Sequence, residues 1–342
     1  LGPRERPLAC TPMDATGHIN RIGVVVHPHR PLERALESLR AWTAAHGAEV
    51  VQIPVRGQER VVAPAGEAAS CDLIVAVGGD GTTLAALHAA APHHLPVLGI
   101  ACGSLGALTA TSADATEEAL TTFAAGDWHR RILPGVGVSA DGSEPHHAIN
   151  DLVVVRKGAN QVVIGVHVDG ELYVRFAGDG VVLSTPLGSS AYTIAAGGPM
   201  LAAGTEAIVV TPVAAHGGST PPLVVGATST VTIEIEGGFG GARIEFDGQI
   251  KDFKPSVLTT SWCADYATLV RFDGAESAFA GLRRRRILMD SPRVLARAER
   301  AAAGADAVAP DANTTAGRSA NAVAPSADAV DGAQRGRSAS KE

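Results

Sequence analysis

The sequence predicts an α/β N-terminal domain on a parallel sheet, a β-rich C-terminal domain and a disordered C-terminal tail. Three observations carry this. Between residues 19 and 115, β-branched runs alternate with segments of helical spacing, the pattern of parallel strands joined by crossovers. From about 116 to 275 the chain turns to short alternating runs separated by Gly, Asp and Asn, which reads as many short strands. After Leu295 there is no Leu, Ile, Met or aromatic residue, and such a segment cannot bury enough to offset its ordering entropy. The expected organisation is a flexible lead (1–18), an α/β domain (19–115), a β-rich domain (116–275), a helical segment (276–298) and a disordered tail (299–342).

Taken in order, Arg21–Val26 is a strand stopped by Pro28 and Pro31. Residues 31–46 carry Leu32, Ala35, Leu36, Leu39 and Trp42 at helical spacing, with Gly47 where a helix C-cap belongs. Strands follow at 49–53, 73–77 and 95–100, and a short helix at 117–125. The second domain offers strands near 148–155, 161–168, 172–177, 181–184, 207–211, 230–236, 243–246 and 267–272. Asp169-Gly170 and Asp247-Gly248 are hairpin-turn signals. Residues 189–196 have helix-forming content in the midst of strands.

Composition excludes some functions. The chain has 342 residues, a net charge of −7 and 4% aromatics, so neither nucleic acid nor an anionic membrane surface is expected as a partner. No apolar run has the length of a membrane span, and residues 1–7 lack the apolar core of a signal peptide. Cys10, Cys71, Cys102 and Cys263 show neither paired nor metal-type spacing and read as reduced thiols of a cytoplasmic protein. The run Arg283–Arg286 has no interleaved aromatics and reads as a solvated helix face.

The chemistry centres on Leu73-Ile74-Val75-Ala76-Val77-Gly78-Gly79-Asp80-Gly81-Thr82, a buried strand running through glycines into a helix. Glycines at such a turn let backbone amides approach a ligand, and a helix N-terminus favours an anion such as phosphate. A carboxylate in a phosphate cradle repels the ligand unless it has a task. Asp80 could hold a metal ion or take a proton from an attacking hydroxyl, which points to a kinase-like phosphoryl-transfer site. In the second domain, Asn150-Asp151 begins a strand. The stretch Gly178-Asp179-Gly180 through Thr185-Pro186-Leu187-Gly188-Ser189-Ser190-Ala191-Tyr192 runs from strand into helix. Its amides and hydroxyls converge at a helix start and suit phosphate-bearing or hydroxyl-rich ligands.

Together these three segments resemble the NAD kinase family over about residues 19–288. The resemblance extends to Ala195-Ala196-Gly197-Gly198-Pro199, Thr211-Pro212…His216 and Phe246-Asp247-Gly248-Gln249. It implies a crevice between the two domains and transfer of a phosphoryl group from ATP or polyphosphate, with Mg²⁺, to the 2′-hydroxyl of the adenosine ribose of NAD. By position, Asp80 would be the general base, with Gly79, Gly81 and Thr82 beside it. Asn150 and Asp151 would bind the dinucleotide. Asp179, Ser190, Ala191, Tyr192, Thr193 and Ala195 would hold its nicotinamide and adenine parts, and Gln249 would be a further contact. The resemblance also implies a homo-oligomer. The chain departs from the pattern at Ala101, where the family has Asn, at Ala107, where it has Phe, and at Ala177, where many members have Arg. Two other readings are a related kinase acting on a lipid or sugar hydroxyl, and a non-catalytic nucleotide-binding paralogue.

Overall fold

The structure, a computed structural model, describes residues 18–57, 59–140, 143–237 and 240–306. The lead predicted for the N-terminus and the tail beyond 306 lie outside the described residues.

The first layer is built from β1 (Arg21–Val26), α1 (Glu33–His46), β2 (Glu49–Gln52), β3 (Leu73–Gly78), α2 (Asp80–Ala90), β4 (Pro96–Ala101), the two-residue β5 (Thr111–Ser112) and α3 (Thr116–Ala124). The strands run parallel in the order β4-β3-β1-β2. Their period-2 alternation divides the apolar residues between two faces. Val24, Val26, Val75 and Val77 point to α1 and α3, where Leu39, Trp42, Leu120 and Phe123 cover them. Val25, Ile74 and Ala76 point the other way, against Leu84 and Leu87 of α2. Helix α1 ends on Gly47 in the left-handed region (φ 69°), as its position predicts. Crossovers from the neighbouring strands β1 and β3 therefore leave on opposite faces. That switch point is where open α/β sheets bind ligands, and β3 delivers Asp80 to it.

The second domain comprises β6 (His129–Ser139), β7 (His146–Ala148), β8 (Asp151–Arg156), β9 (Val162–Val168), β10 (Glu171–Gly178), β11 (Gly180–Ser184), α4 (Tyr192–Ala195), β12 (Ala207–Val213), β13 (Leu223–Gly226), β14 (Val231–Gly237), β15 (Ala242–Phe246), β16 (Gln249–Lys251) and β17 (Val257–Arg271). Strands β13-β12-β11-β8-β15-β16 form an antiparallel sheet of their own. Its inner residues Leu152, Val154, Val181, Leu183, Ile208 and Ile244 interdigitate with Val162, Ile164, Val166, Val231 and Leu258 of the β9–β14–β17 sheet. Both predicted hairpin turns carry two consecutive positive φ values, 51° and 85° at Asp169-Gly170 and 52° and 75° at Asp247-Gly248.

The two domains share one sheet. Strand β17 pairs with β14 through Val257–Thr260 and then, beyond an irregularity, lies parallel to β4 through Thr268 and Leu269. The described part of 1–288 is accordingly one compact unit. Helix α3, placed by sequence texture at the head of the second domain, packs its Phe123 into the α/β core. The long β6, whose sequence shows no strand alternation, exists because β17 pairs with it along most of its length. The segment 189–196 resolves into a 3₁₀ turn, Gly188–Ser190, and the single turn α4. After β17 come α5 (Ala278–Arg284), capped by the Ser277 hydroxyl, and separately α6 (Pro292–Asp306), which runs into the stretch whose composition predicts disorder from residue 299.

Candidate active site

Strand β3 ends at Gly78, Gly79 is extended, and α2 begins at Asp80. A Cβ on Gly78 would lie 2.3 Å from the Thr82 hydroxyl, so the turn closes only on glycine. Thr82 is buried under this turn, while Gly81 faces open space. The Asp80 carboxylate spans to the loop after β4. Its Oδ2 accepts the Ala107 N–H at 2.9 Å and its Oδ1 the Leu108 N–H at 2.8 Å. Gly106 is required by this contact, because a Cβ there would sit 2.0 Å from Asp80 Oδ1.

Cations surround the cradle. Arg285, just past α5, places Nη1 3.8 Å from Asp80 Oδ2. Half-buried Arg131 of β6 donates to the Ala107 carbonyl at 2.9 Å. Arg30, after β1, reaches toward Gly79 and Gly103 and donates to the Cys102 carbonyl at 3.4 Å. Each carboxylate oxygen of Asp80 holds one amide, and the side chain remains 38% exposed. A hydroxyl can therefore still reach it.

The second half of the site is the turn between β7 and β8. Asp247, its side chain 2% exposed, accepts the N–H groups of Ile149 (2.8 Å), Asn150 (2.7 Å) and Asp151 (3.0 Å). This fixes the backbone while Asn150 Oδ1 stays buried without a partner. An orphaned buried carbonyl is costly unless a ligand donates to it. Burial pushes the Asp151 carboxyl up to about 7, with the charges of Asp247 and Glu245 adding to the effect. The segment after β11 packs directly on this turn. Thr185 donates its hydroxyl to the Ile149 carbonyl at 2.6 Å, and a Cβ on Gly188 would fall 2.0 Å from the Asn150 carbonyl oxygen. Ser184 and Thr193 share a buried hydrogen bond of 2.7 Å, which anchors α4 and leaves Tyr192 exposed. A cleft of about 700 Å³ is lined by Gly106, Ala107, Arg131, Leu187, Ser190 and Arg285 among others, and runs from the loop that holds Asp80 to the turn just before α4.

Gly79, Asp80 and Gly81 stand together at the cradle, one wall, and Asn150 and Asp151 carry the segment after β11 on the other; of the residues singled out by sequence, Ser190 lines the cleft itself. Gln249 follows the Asp247-Gly248 turn at the edge of the second wall, on a hairpin tied to the first domain by Arg56, which donates to the Ile250 carbonyl at 2.9 Å. Thr82 faces inward, and its side chain supports the cradle rather than lining the cleft. Within the chain Asp179 lies apart from the Asn150–Asp151 turn. It precedes the opposite end of β11 from Ser184, the residue paired with Asp151, so the two lie more than about 13 Å apart along the strand. Its carboxylate pairs instead with Arg156 at 2.5 Å. Ala177 lies at that same remote end. Ala107 lines the cleft and supplies the cradle through its backbone, so its hold on Asp80 does not depend on its side chain.

Sequence reasoning missed Arg30, His88, Arg131 and Arg285. The Arg283–Arg286 run was a signal, but it read as a solvated face. Arg284 does pair with Glu276, whereas Arg285 turns back to Asp80.

A carboxylate at a helix N-terminus inside a glycine cradle, ringed by arginines and opening on a cleft between two domains, defines a phosphotransferase. Residues 22–128 match the profile of the ATP-NAD kinase N-terminal domain and residues 149–271 that of the ATP-NAD kinase C-terminal domain. The chain belongs to the NAD kinase family. An NAD kinase of Koribacter versatilis is 33% identical over 241 residues, 67% of this chain and 84% of that protein. One of Gemmatimonas aurantiaca is 37% identical over 185 residues, 52% of this chain and 64% of that protein. The crystal structure of an NAD kinase from Archaeoglobus fulgidus in complex with ATP matches with a TM-score of 0.62 at 26% identity, covering 79% of this chain and 100% of that one.

Proposed function

We propose that this protein transfers the γ-phosphoryl group of ATP to the 2′-hydroxyl of the adenosine ribose of NAD, with Asp80 as the general base. The observation that carries this reading is the pairing of a held but accessible carboxylate on one wall with an unsatisfied Asn150 carbonyl on the other. In the transfer, the 2′-oxygen bonds to the γ-phosphorus as the bond to the ADP oxygen breaks. The hydroxyl proton passes to Asp80, and ADP leaves. The two amides on Asp80 orient its carboxylate and leave one lone pair on each oxygen for the proton. Positioning and charge neutralisation dominate this chemistry. The amides of 79–81, with Arg30 and Arg285 close by, supply positive potential from the chain itself.

Mg²⁺ fits this site as a companion of the phosphates. Among the described residues no group of three or more His, Cys, Asp or Glu is set to share a metal, and Asp80 is the carboxylate within the cradle. A hard cation held by phosphates, water and one carboxylate is the usual Mg²⁺ arrangement, and it would neutralise charge on the transferred group. Asn150 and Asp151 hold the acceptor, with Ser190, Ala191, Tyr192, Thr193 and Ala195 along the adjoining wall. The same reading makes the protein a cytoplasmic homo-oligomer, and light scattering measures the oligomeric state directly. No helix among the described residues is long and apolar enough to cross a membrane.

The test is Asp80→Asn in a coupled assay of NADP formation with ATP and Mg²⁺. Turnover is expected to fall by about 10²–10⁴-fold, with NAD affinity by calorimetry retained. Near-normal turnover would sink the role of Asp80. Wild-type protein that binds both nucleotides without making NADP would favour the non-catalytic paralogue, and polyphosphate in place of ATP tests the donor.

A further inference from the structure

We propose that Tyr266, His88 and Asp247 form a positioning relay that fixes the Asn150–Asp151 turn to α2, the helix that begins with Asp80. The inference rests on the reading of that turn as the one that holds NAD. It adds residues with no part in the transfer itself.

The geometry is closed at every link. His88 lies on α2, eight residues after Asp80, or just over two helical turns. Its Nε2 is 2.5 Å from Asp247 Oδ2, and its Nδ1 is 3.2 Å from the Tyr266 hydroxyl. The Asp247 carboxylate also takes three backbone N–H groups, Ile149 on Oδ2 and both Asn150 and Asp151 on Oδ1. Backbone amides can only donate, so Asp247 accepts at these three contacts, which favours its carboxylate form as the acceptor at the fourth. The proton between Asp247 and the imidazole therefore belongs to His88 Nε2. With the proton on Nε2, Nδ1 can accept from the Tyr266 hydroxyl. Tyr266 keeps that proton, since burial and then the charge of Asp247 push its hydroxyl up to about 12. His147 stacks on the Tyr266 ring at 4.6 Å and holds its orientation.

The relay crosses between layers. His88 belongs to the α/β domain, Asp247 to the hairpin after β15, and Tyr266 to the irregular middle of β17. Three consecutive amides tied to one buried carboxylate leave the turn no rotational freedom. The same residues carry the orphaned Asn150 Oδ1 and the buried Asp151 carboxyl. A displacement of Asp247 by an ångström would be inherited by both side chains, and misplacements of that size can cost about 10²-fold in rate.

The experiment is steady-state kinetics on the full chain with both substrates varied. His88→Ala is expected to raise KM for NAD at least tenfold and to leave KM for ATP within twofold. His88→Gln, which offers an Nε2–H donor with similar reach, is expected to recover most of the loss. Tyr266→Phe should give a smaller effect of the same kind. Amide exchange at 149–151 should quicken in His88→Ala and not in His88→Gln at matched urea midpoints. The proposal is overturned if His88→Ala changes both KM values alike, if it lowers the midpoint while kcat/KM for NAD holds, or if His88→Gln is no better than alanine. Asn150→Ala run in parallel separates the two ideas. An unchanged KM for NAD there removes the acceptor role of the turn and the relay with it. A raised KM for NAD there, with none in His88→Ala, removes the relay alone.

Discussion

Asp151 offers a direct check on the electrostatics of the second wall. Its carboxyl is 7% exposed and is raised from an ordinary 3.8 to about 7 by burial and by the charges of Asp247 and Glu245. A raised folded-state value means that the folded protein keeps a proton that the unfolded chain gives up. The stability contributed by this group is complete below pH 4 and is lost as pH rises through about 7. A shift of this size corresponds to a ceiling of about 4 kcal/mol. In Asp151→Asn there is no proton to lose. The unfolding free energy of the variant minus that of the wild type should therefore climb by roughly 2–3 kcal/mol between pH 5 and pH 8 and then level off. Urea unfolding of both proteins across that range, without nucleotide, measures the difference, and titrations common to both cancel. A difference flat with pH would refute the account of a buried carboxyl held protonated near neutrality.

Two further perturbations probe packing. Gly106→Ala puts a methyl 2.0 Å from Asp80 Oδ1, so the carboxylate must leave its two amides. Turnover should drop about 10²-fold with NAD affinity little changed, measured by the NADP assay beside calorimetry. Phe123→Ala removes a fully buried ring that stacks on Trp128 at 4.8 Å, and about 3–5 kcal/mol of stability should go with it, seen as a lower urea midpoint with an unchanged slope.

What was legible in the chain was whatever is written locally. The β3–cradle–α2 passage is encoded in ten consecutive residues, and Asp169-Gly170 and Asp247-Gly248 adopt the positive φ values their composition predicts. The family resemblance held because its motifs are of this contiguous kind. The strand β6 was illegible for the opposite reason. Its sequence, HRRILPGVGVS, mixes arginines, proline and glycines, and only the partner strand makes it extended. There Gly135 and Gly137 make room for the side chains of Tyr266 and Cys263. His88, Arg131 and Arg285 were hidden likewise. They have no motif of their own and acquire meaning when β17, β6 and α5 bring them to residues far away in the chain. Asp179 is a different case, adjacent in sequence to a recognisable segment yet separated within the chain from the Asn150–Asp151 turn by the length of β11.

The course of β17 bears on how the protein is made. Part of the outer edge of β4 in the N-terminal sheet is taken up by Thr268 and Leu269, among the last residues of the second domain. During synthesis the first domain emerges with that part of the edge open, its Val97 and Leu98 on a strand with unpaired backbone groups. It waits for about 140 further residues after the end of the N-terminal match at 128, some tens of seconds at the slower rates of elongation. The nascent chain thus carries an aggregation-prone border that only the final strand can seal, and completion of the enzyme's first domain is set by the translation of its last.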